Sequence, residues 1–171
     1  MKKTVSVAAG VALAAGLGFV AGVVFSGQPL HAQAGKTTPK EPAATSEEFK
    51  SHVLHYPDLP PVELVKGSNS RLIAGEQSMI SFLTMDAHSY FAPHHHTQEQ
   101  IMIVLDGSCD EIIEGKIYHV SKGDVIVLPP NIVHGAYIGD QDVQVIDVFG
   151  EVRSDYMLKM EQKMAEMNKK K

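Results

Sequence analysis

Between Val62 and Phe149 the chain holds no apolar repeat of helical length and period. It offers instead short runs of Val, Ile, Leu, Phe and Tyr cut by Gly, Asn, Asp and Pro clusters. Such runs, bounded by turn formers, are strands. The candidates are Glu63–Val65, Arg71–Ala74, Met79–Met85, Gln100–Leu105, Cys109–Ile113, Lys116–His119, Val125–Leu128, Val133–Ile138 and Val143–Phe149. Strands without helices to cover them bury their apolar faces against one another. The expected fold class is therefore all-β, an antiparallel barrel or sandwich.

The flanks differ. After Phe149, Ser154 and Asp155 are N-cap candidates, and Met157, Met160, Met164 and Met167 recur at helical spacing, which predicts a C-terminal helix with one apolar face. That face is expected to lie on the barrel or on a second subunit, and Lys169, Lys170 and Lys171 complement the helix's negative end. At the other end, Met1-Lys2-Lys3 is followed by an uncharged run from Thr4 to Phe25 and by Ala32-Gln33-Ala34, the pattern of a secretory signal peptide over residues 1–34. The expected destination is periplasmic or secreted, with no membrane attachment after cleavage. The run is also long enough to serve as a retained anchor. Gly35 to Glu48 lacks large apolar residues and reads as a disordered linker. One folded domain, 49–171, remains.

That domain needs no staples. With 44% apolar and 20% charged residues it can bury a core unaided, so a bound metal would serve function. Cys109 is the only cysteine; it reads as a small buried hydrophobe. All 20 acidic residues but only 13 of the 15 basic ones follow Ala34, a formal charge of −7 after cleavage. Such a balance argues against nucleic acid as a partner.

The most informative stretch is Pro93-His94-His95-His96-Thr97-Gln98-Glu99-Gln100. On an extended chain His94, His96 and Gln100 share one face, while His95, Thr97 and Glu99 take the other. Two imidazoles two positions apart chelate a metal readily. Glu99 is the alternative fourth ligand if a bulge intervenes. A second stretch, Gly123 to His134, supplies another histidine after Pro129-Pro130-Asn131. Further along, Val143, Val145, Asp147 and Phe149 share one strand face, which puts a carboxylate in an apolar row. Asp147 is there either a hydrogen-bond acceptor or an acid/base group tuned by burial.

These residues resemble the two cupin motifs: the first through His94, His96, Gln100 and Gly107, the second through Gly123, Pro129 and His134. His88 and Asn131 stand where the motifs usually have glycine. The resemblance implies a jelly-roll barrel holding one divalent metal ion (Zn, Ni, Fe or Mn) through His94, His96, Gln100 and His134. The Asp147-Val148-Phe149-x3-Arg153 segment narrows it to the small cupins of pectin and alginate breakdown, which linearise unsaturated uronates. By position, Asp147 would shuttle a proton, Arg153 would pair with the substrate carboxylate, Phe149 would pack on the sugar ring, and the metal would act as a Lewis acid. The expectation is a metal-dependent isomerase acting on a small sugar acid, and a homodimer. The other classes consistent with the same ligands are a metal-dependent dioxygenase or lyase and a non-catalytic periplasmic ligand-binding cupin.

Overall fold

The structure, a computed structural model, describes residues 41–169. The expected signal peptide and the first part of the expected linker lie outside them. Within the rest of the linker, the last three residues already begin a helix, α1 (Ser46–His52). The reason is local: Thr45 and Glu48 form a reciprocal capping box that satisfies the first backbone donors. This helix buries none of its side chains. A 3-10 turn at Tyr56–Asp58 follows, with Pro57 fixing the backbone, and Tyr56 stacks on Phe82 at 3.9 Å between ring centroids.

Ten strands then run β1 (Val62–Glu63), β2 (Ser68–Ala74), β3 (Met79–Met85), β4 (Tyr90–His94), β5 (Gln100–Asp106), β6 (Ser108–Ile113), β7 (Lys116–Ser121), β8 (Val125–Leu128), β9 (His134–Ile138) and β10 (Val143–Phe149). Helix α2 (Ser154–Asn168) ends the described chain. The strands form two antiparallel sheets, ordered β1-β2-β3-β10-β5-β8 and β4-β9-β6-β7. From β3 onward the chain passes repeatedly between the sheets, as a jelly roll does. The all-β expectation holds. β4 was absent from the expected strands because Tyr90-Phe91-Ala92-Pro93-His94 contains a proline, which demotes a run as a strand candidate.

The core follows the period of two. On β3, Met79, Ser81, Leu83 and Met85 point inward, and on β10 Val143, Val145, Asp147 and Phe149 do. Each buried apolar side chain contributes roughly 2 kcal/mol. Two hydroxyls inside this core are paired with each other: Ser70 and Ser81 on adjacent strands share a hydrogen bond of 2.7 Å. Cys109 is buried, as expected. Of the helix stripe, Met157 and Met160 pack on the core with Tyr156, whereas Met164 and Met167 remain exposed. The helix is capped at Arg153, not at Ser154 or Asp155; Asp155 is engaged by the Arg153 guanidinium. Among the described residues no helix is long and apolar enough to cross a membrane.

Candidate functional site

Strand pairing places two of the histidines. His94 ends β4 and His134 opens β9, and they are direct cross-strand partners, with ring centroids 4.4 Å apart. The close approach depends on Gly135. A methyl there would collide with the Phe91 carbonyl oxygen and stand 3.0 Å from the Pro93 nitrogen, so only glycine lets β4 lie against β9 at this point. Gly107 has a similar role after β5: its φ is +79°, and a side chain would meet the Asp142 carbonyl at 2.6 Å.

His96 arrives differently from expected. Residues 95–99 are not strand but a bend that carries the chain from the four-stranded sheet to the six-stranded one. Strand parity therefore does not operate between His94 and Gln100. The bend itself turns His96 inward, and Asn131 donates its backbone N–H to the His96 carbonyl at 2.7 Å. Asn131 adopts φ +64° and His88 φ +63°. Both positions where the motifs usually carry glycine thus keep the left-handed backbone, at a cost of roughly 1 kcal/mol each.

His94, His96 and His134 each offer a ring nitrogen, all within 4.8 Å of one another. His94 donates Nδ1–H to the Ala92 carbonyl and His134 donates Nδ1–H to the Ile132 carbonyl, both at 3.0 Å. A carbonyl only accepts, so these bonds fix the tautomer and leave each Nε2 with a free lone pair. The His134 Nε2 is buried without any partner, a costly arrangement that a metal ion would satisfy. Burial pushes the His134 pKa down to about 4, with the neighbouring His94, His96 and Arg153 charges adding to the effect. Burial also lowers that of His96, followed by Arg153. Neutral imidazole is the form a metal requires.

Gln100 completes the set. On β5 it pairs with Phe149 of β10, while Asp147 pairs with Met102, so Gln100 and Asp147 are diagonal neighbours on one face. The Gln100 amide donates Nε2–H to Asp147 Oδ1 at 2.7 Å. That bond decides which way the amide points, and turns Oε1 to within 3.1 Å of His96 Nε2. Two ligands of one metal ion lie about 3 Å apart when each is about 2.1 Å from it. The four side chains therefore fit one divalent ion. The chemistry of three imidazoles and a carbonyl oxygen suits the later first-row metals.

Asp147 is 3% exposed. Burial raises its pKa to about 7, against the Gln100 hydrogen bond and the Arg153 charge, which pull it down. It lines a cavity of about 40 Å³ together with His94, His134 and Gln100. Arg153 stands at the outer side, lining a cleft of about 290 Å³ with His94 and Tyr156. Its Nε and Nη2 both donate to Asp155, at 3.0 and 2.6 Å, and its guanidinium lies 4.1 Å from the Tyr156 ring centroid. Burial would raise the Asp155 carboxyl, but the guanidinium outweighs it and holds the pKa low. Nη1 is buried and unpartnered, so it is the guanidinium nitrogen left entirely free to receive an anion.

Phe149 corrects an expectation. Its exposure is 0%, and its ring stands edge-on to His96 at 5.7 Å and to Tyr156 at 5.6 Å. With no surface to offer a sugar ring, it buttresses His96 from behind. Two residues were not anticipated: Tyr156, from the first turn of α2, and Glu111 on β6, which is 3% exposed and faces the same cavity. A signal for Glu111 existed. Cys109, Glu111 and Ile113 share one strand face, the same pattern that singled out Asp147.

The two-sheet jelly roll thus brings three histidines and an amide to one point, and the three imidazoles could hold a metal ion. Residues 81–149, which contain all four converging side chains, match the family model for the cupin domain. The fold is shared with an RmlC-like cupin from Shewanella frigidimarina NCIMB 400, at TM-score 0.57 and 22% identity over 61% of this chain and 95% of that one. KdgF from Halomonas sp. is similar at 28% identity and TM-score 0.53, over 56% of this chain and 89% of its own. The polyketide cyclase RemF from Streptomyces resistomycificus shares the fold at TM-score 0.55 and 20% identity, over 60% and 80%. No curated protein matches the sequence.

Proposed function

We propose that the protein is an exported, metal-dependent isomerase that opens the ring of a small sugar acid such as a 4,5-unsaturated uronate. The observation that carries this reading is Asp147: a buried carboxyl with a pKa near neutrality, facing the cavity beside the histidine cluster and holding the amide of Gln100. A proton-transfer group works best when its pKa lies close to the operating pH. The resemblance of the Asp147, Phe149 and Arg153 segment to the uronate cupins and the similarity to KdgF support it.

His94, His96, Gln100 and His134 would hold the metal, which when bound supplies Lewis-acid polarisation of a substrate oxygen. Asp147 takes the proton of the anomeric hydroxyl. The electron pair released forms the aldehyde carbonyl, the bond between the anomeric carbon and the ring oxygen breaks, and the ring oxygen leaves as an enolate. The enolate then becomes a ketone as its carbon takes a proton back from Asp147, so the step is a net isomerisation. Arg153 orients the substrate carboxylate through Nη1, and Tyr156 with Phe91 walls the site from water.

The test is incubation of the metal-loaded domain with 4,5-unsaturated galacturonate, followed by loss of its ultraviolet absorbance. Wild type should bleach it, and Asp147→Asn should be slowed at least 100-fold with metal content unchanged. No bleaching by the metal-loaded wild type would overturn the reading. Oxygen consumption restricted to the iron form would indicate a dioxygenase instead, and metal-dependent ligand binding without turnover would indicate a binding cupin. Export through residues 1–34 and assembly as a homodimer belong to the same proposal; cell fractionation and sedimentation of the mature chain test them.

A further inference from the structure

A second carboxyl in the cavity is not used by the reaction above. Glu111 sits on β6 in the four-stranded sheet, opposite Ala136 on one side and Tyr118 on the other. It is 3% exposed and looks across the cavity toward the sheet that carries Gln100 and Asp147. Its walls there are Leu83, Met85 and Met102. Among the described residues no hydrogen bond or ion pair reaches its carboxyl. An unpaired carboxyl among apolar side chains is costly to the fold, and a leucine or methionine would fill the place without that cost.

The cavity it faces, about 40 Å³, has room for roughly two or three water-sized groups. A whole sugar ring does not fit there. The cleft of about 290 Å³ outside it shares Phe91, His94 and Tyr156 with the cavity, so a ligand whose body lies in the cleft can send one polar end past the histidines to the floor. The groups available at that floor are Asp147, already bonded to Gln100, and Glu111, bonded to nothing.

We infer that Glu111 is a specificity-determining residue that contacts the ligand, its carboxyl donating a hydrogen bond to a hydroxyl or carbonyl oxygen on the end that enters the barrel. The inference rests on the sugar-acid reading for the class of ligand. Burial, and after it the charge of Asp147, raises the pKa of Glu111 to about 8, which keeps the proton it would donate. The site thereby selects against ligands whose inner end is apolar, which would leave the carboxyl unbonded.

Binding and turnover separate the two proposals. Calorimetric titration of D-galacturonate, a saturated sugar acid, into metal-loaded wild type, Glu111→Gln and Glu111→Leu decides the role of Glu111. Affinity should fall about 10- to 100-fold in Glu111→Leu, the range expected for loss of one buried hydrogen bond, and less in Glu111→Gln, whose amide still donates. Metal content should stay at the wild-type value in both. Equal affinity in all three proteins, or no binding of D-galacturonate to wild type, would overturn the inference. If Glu111→Leu fails to fold, the isosteric Glu111→Gln carries the comparison with D-galacturonate against its 6-methyl ester and against 6-deoxygalactose. The loss on substitution should then be the same for acid and ester, because Glu111 reads the inner end and not the carboxylate; no loss in either overturns it. Turnover of unsaturated galacturonate by wild type is read separately. Its absence with D-galacturonate binding intact removes the isomerase reading and leaves Glu111 as a ligand contact.

Discussion

Glu111→Gln removes one titrating proton and keeps the shape of the side chain, so its effect on stability is a function of pH that can be worked out in advance. The folded chain holds Glu111 with a pKa of about 8, against 4.5 for the ordinary carboxyl. Because the folded value is the higher, the folded state binds more protons throughout the window between them. Stability therefore falls as pH rises through that window. At pH 7 the unfolded chain gains the ionisation of this group and the folded chain scarcely does, a difference of about 3 kcal/mol. Glutamine does not titrate. The advantage of the variant should be near zero at pH 4.5 and about 3 kcal/mol at pH 7, and should level off at about 4–5 kcal/mol once the pH has passed 8. Asp147 is raised for the same reason, but it is present in both proteins and its slope largely cancels in the difference. Urea unfolding of the metal-free proteins at pH 5, 6, 7 and 8 measures this directly, with chelation removing the overlay of metal binding. At an m-value of about 1–2 kcal/mol/M, the midpoint at pH 7 should rise by roughly 2 M. A difference between the two proteins that does not change with pH would refute the account of Glu111 as a buried neutral acid.

His134→Ala should abolish metal retention, read by elemental analysis, while the cooperative unfolding transition survives, because the imidazole Nε2 is an unpaired buried group and not a support of the core. In the metal-free wild type the His134 pKa of about 4 lies below the ordinary 6.5, so the unfolded state binds the proton first. Stability should hold above about pH 6.5 and decline toward pH 4, and His134→Ala should flatten that decline. Arg153→Ala should lose about 2 kcal/mol in thermal unfolding, since the guanidinium holds Asp155 and covers Tyr156; an unchanged transition would show that these contacts contribute nothing. Gly135→Ala should lower metal affinity at least tenfold in competition with a chromophoric chelator, because the added methyl forces β4 away from β9 and His94 from His134. Unaltered affinity would show that the strands yield without disturbing the cluster.

Much of this was readable from residue order alone, and the exceptions have physical causes. Period-two alternation located β3 and β10 to the residue, because both strands have one buried face and their turns carry strong signals. β4 was hidden by Pro93, which is tolerated because that strand lies at the edge of its sheet. The histidines converge as the motifs implied, yet the parity offered for them does not exist: a bend, not a strand, joins His94 to Gln100. Spacing in sequence identified the partners without identifying the geometry. Burial decided the roles of Phe149 and Arg153. A residue's place in a motif says that it is near the site, and only packing says whether it faces the ligand or holds up what does.

A glutamine at position 100, where a glutamate would be the stronger metal ligand, becomes intelligible once Asp147 is seen beside it. An ionised glutamate at position 100 has only acceptor oxygens and would set a second negative charge within hydrogen-bonding distance of Asp147, in a cavity that already contains Glu111. The amide offers a donor atom and an acceptor atom, and each has a partner: Nε2–H on Asp147 and Oε1 toward His96. It thus ties the acid to the metal ligands without adding charge. A neutral ligand set would leave the charge of a bound dication undiminished. The amide and the two acids are in this sense one arrangement. On the proposed reading a protonated Glu111 would donate to the inner end of the ligand, and Asp147, tied to Gln100, would be the acid that exchanges its proton.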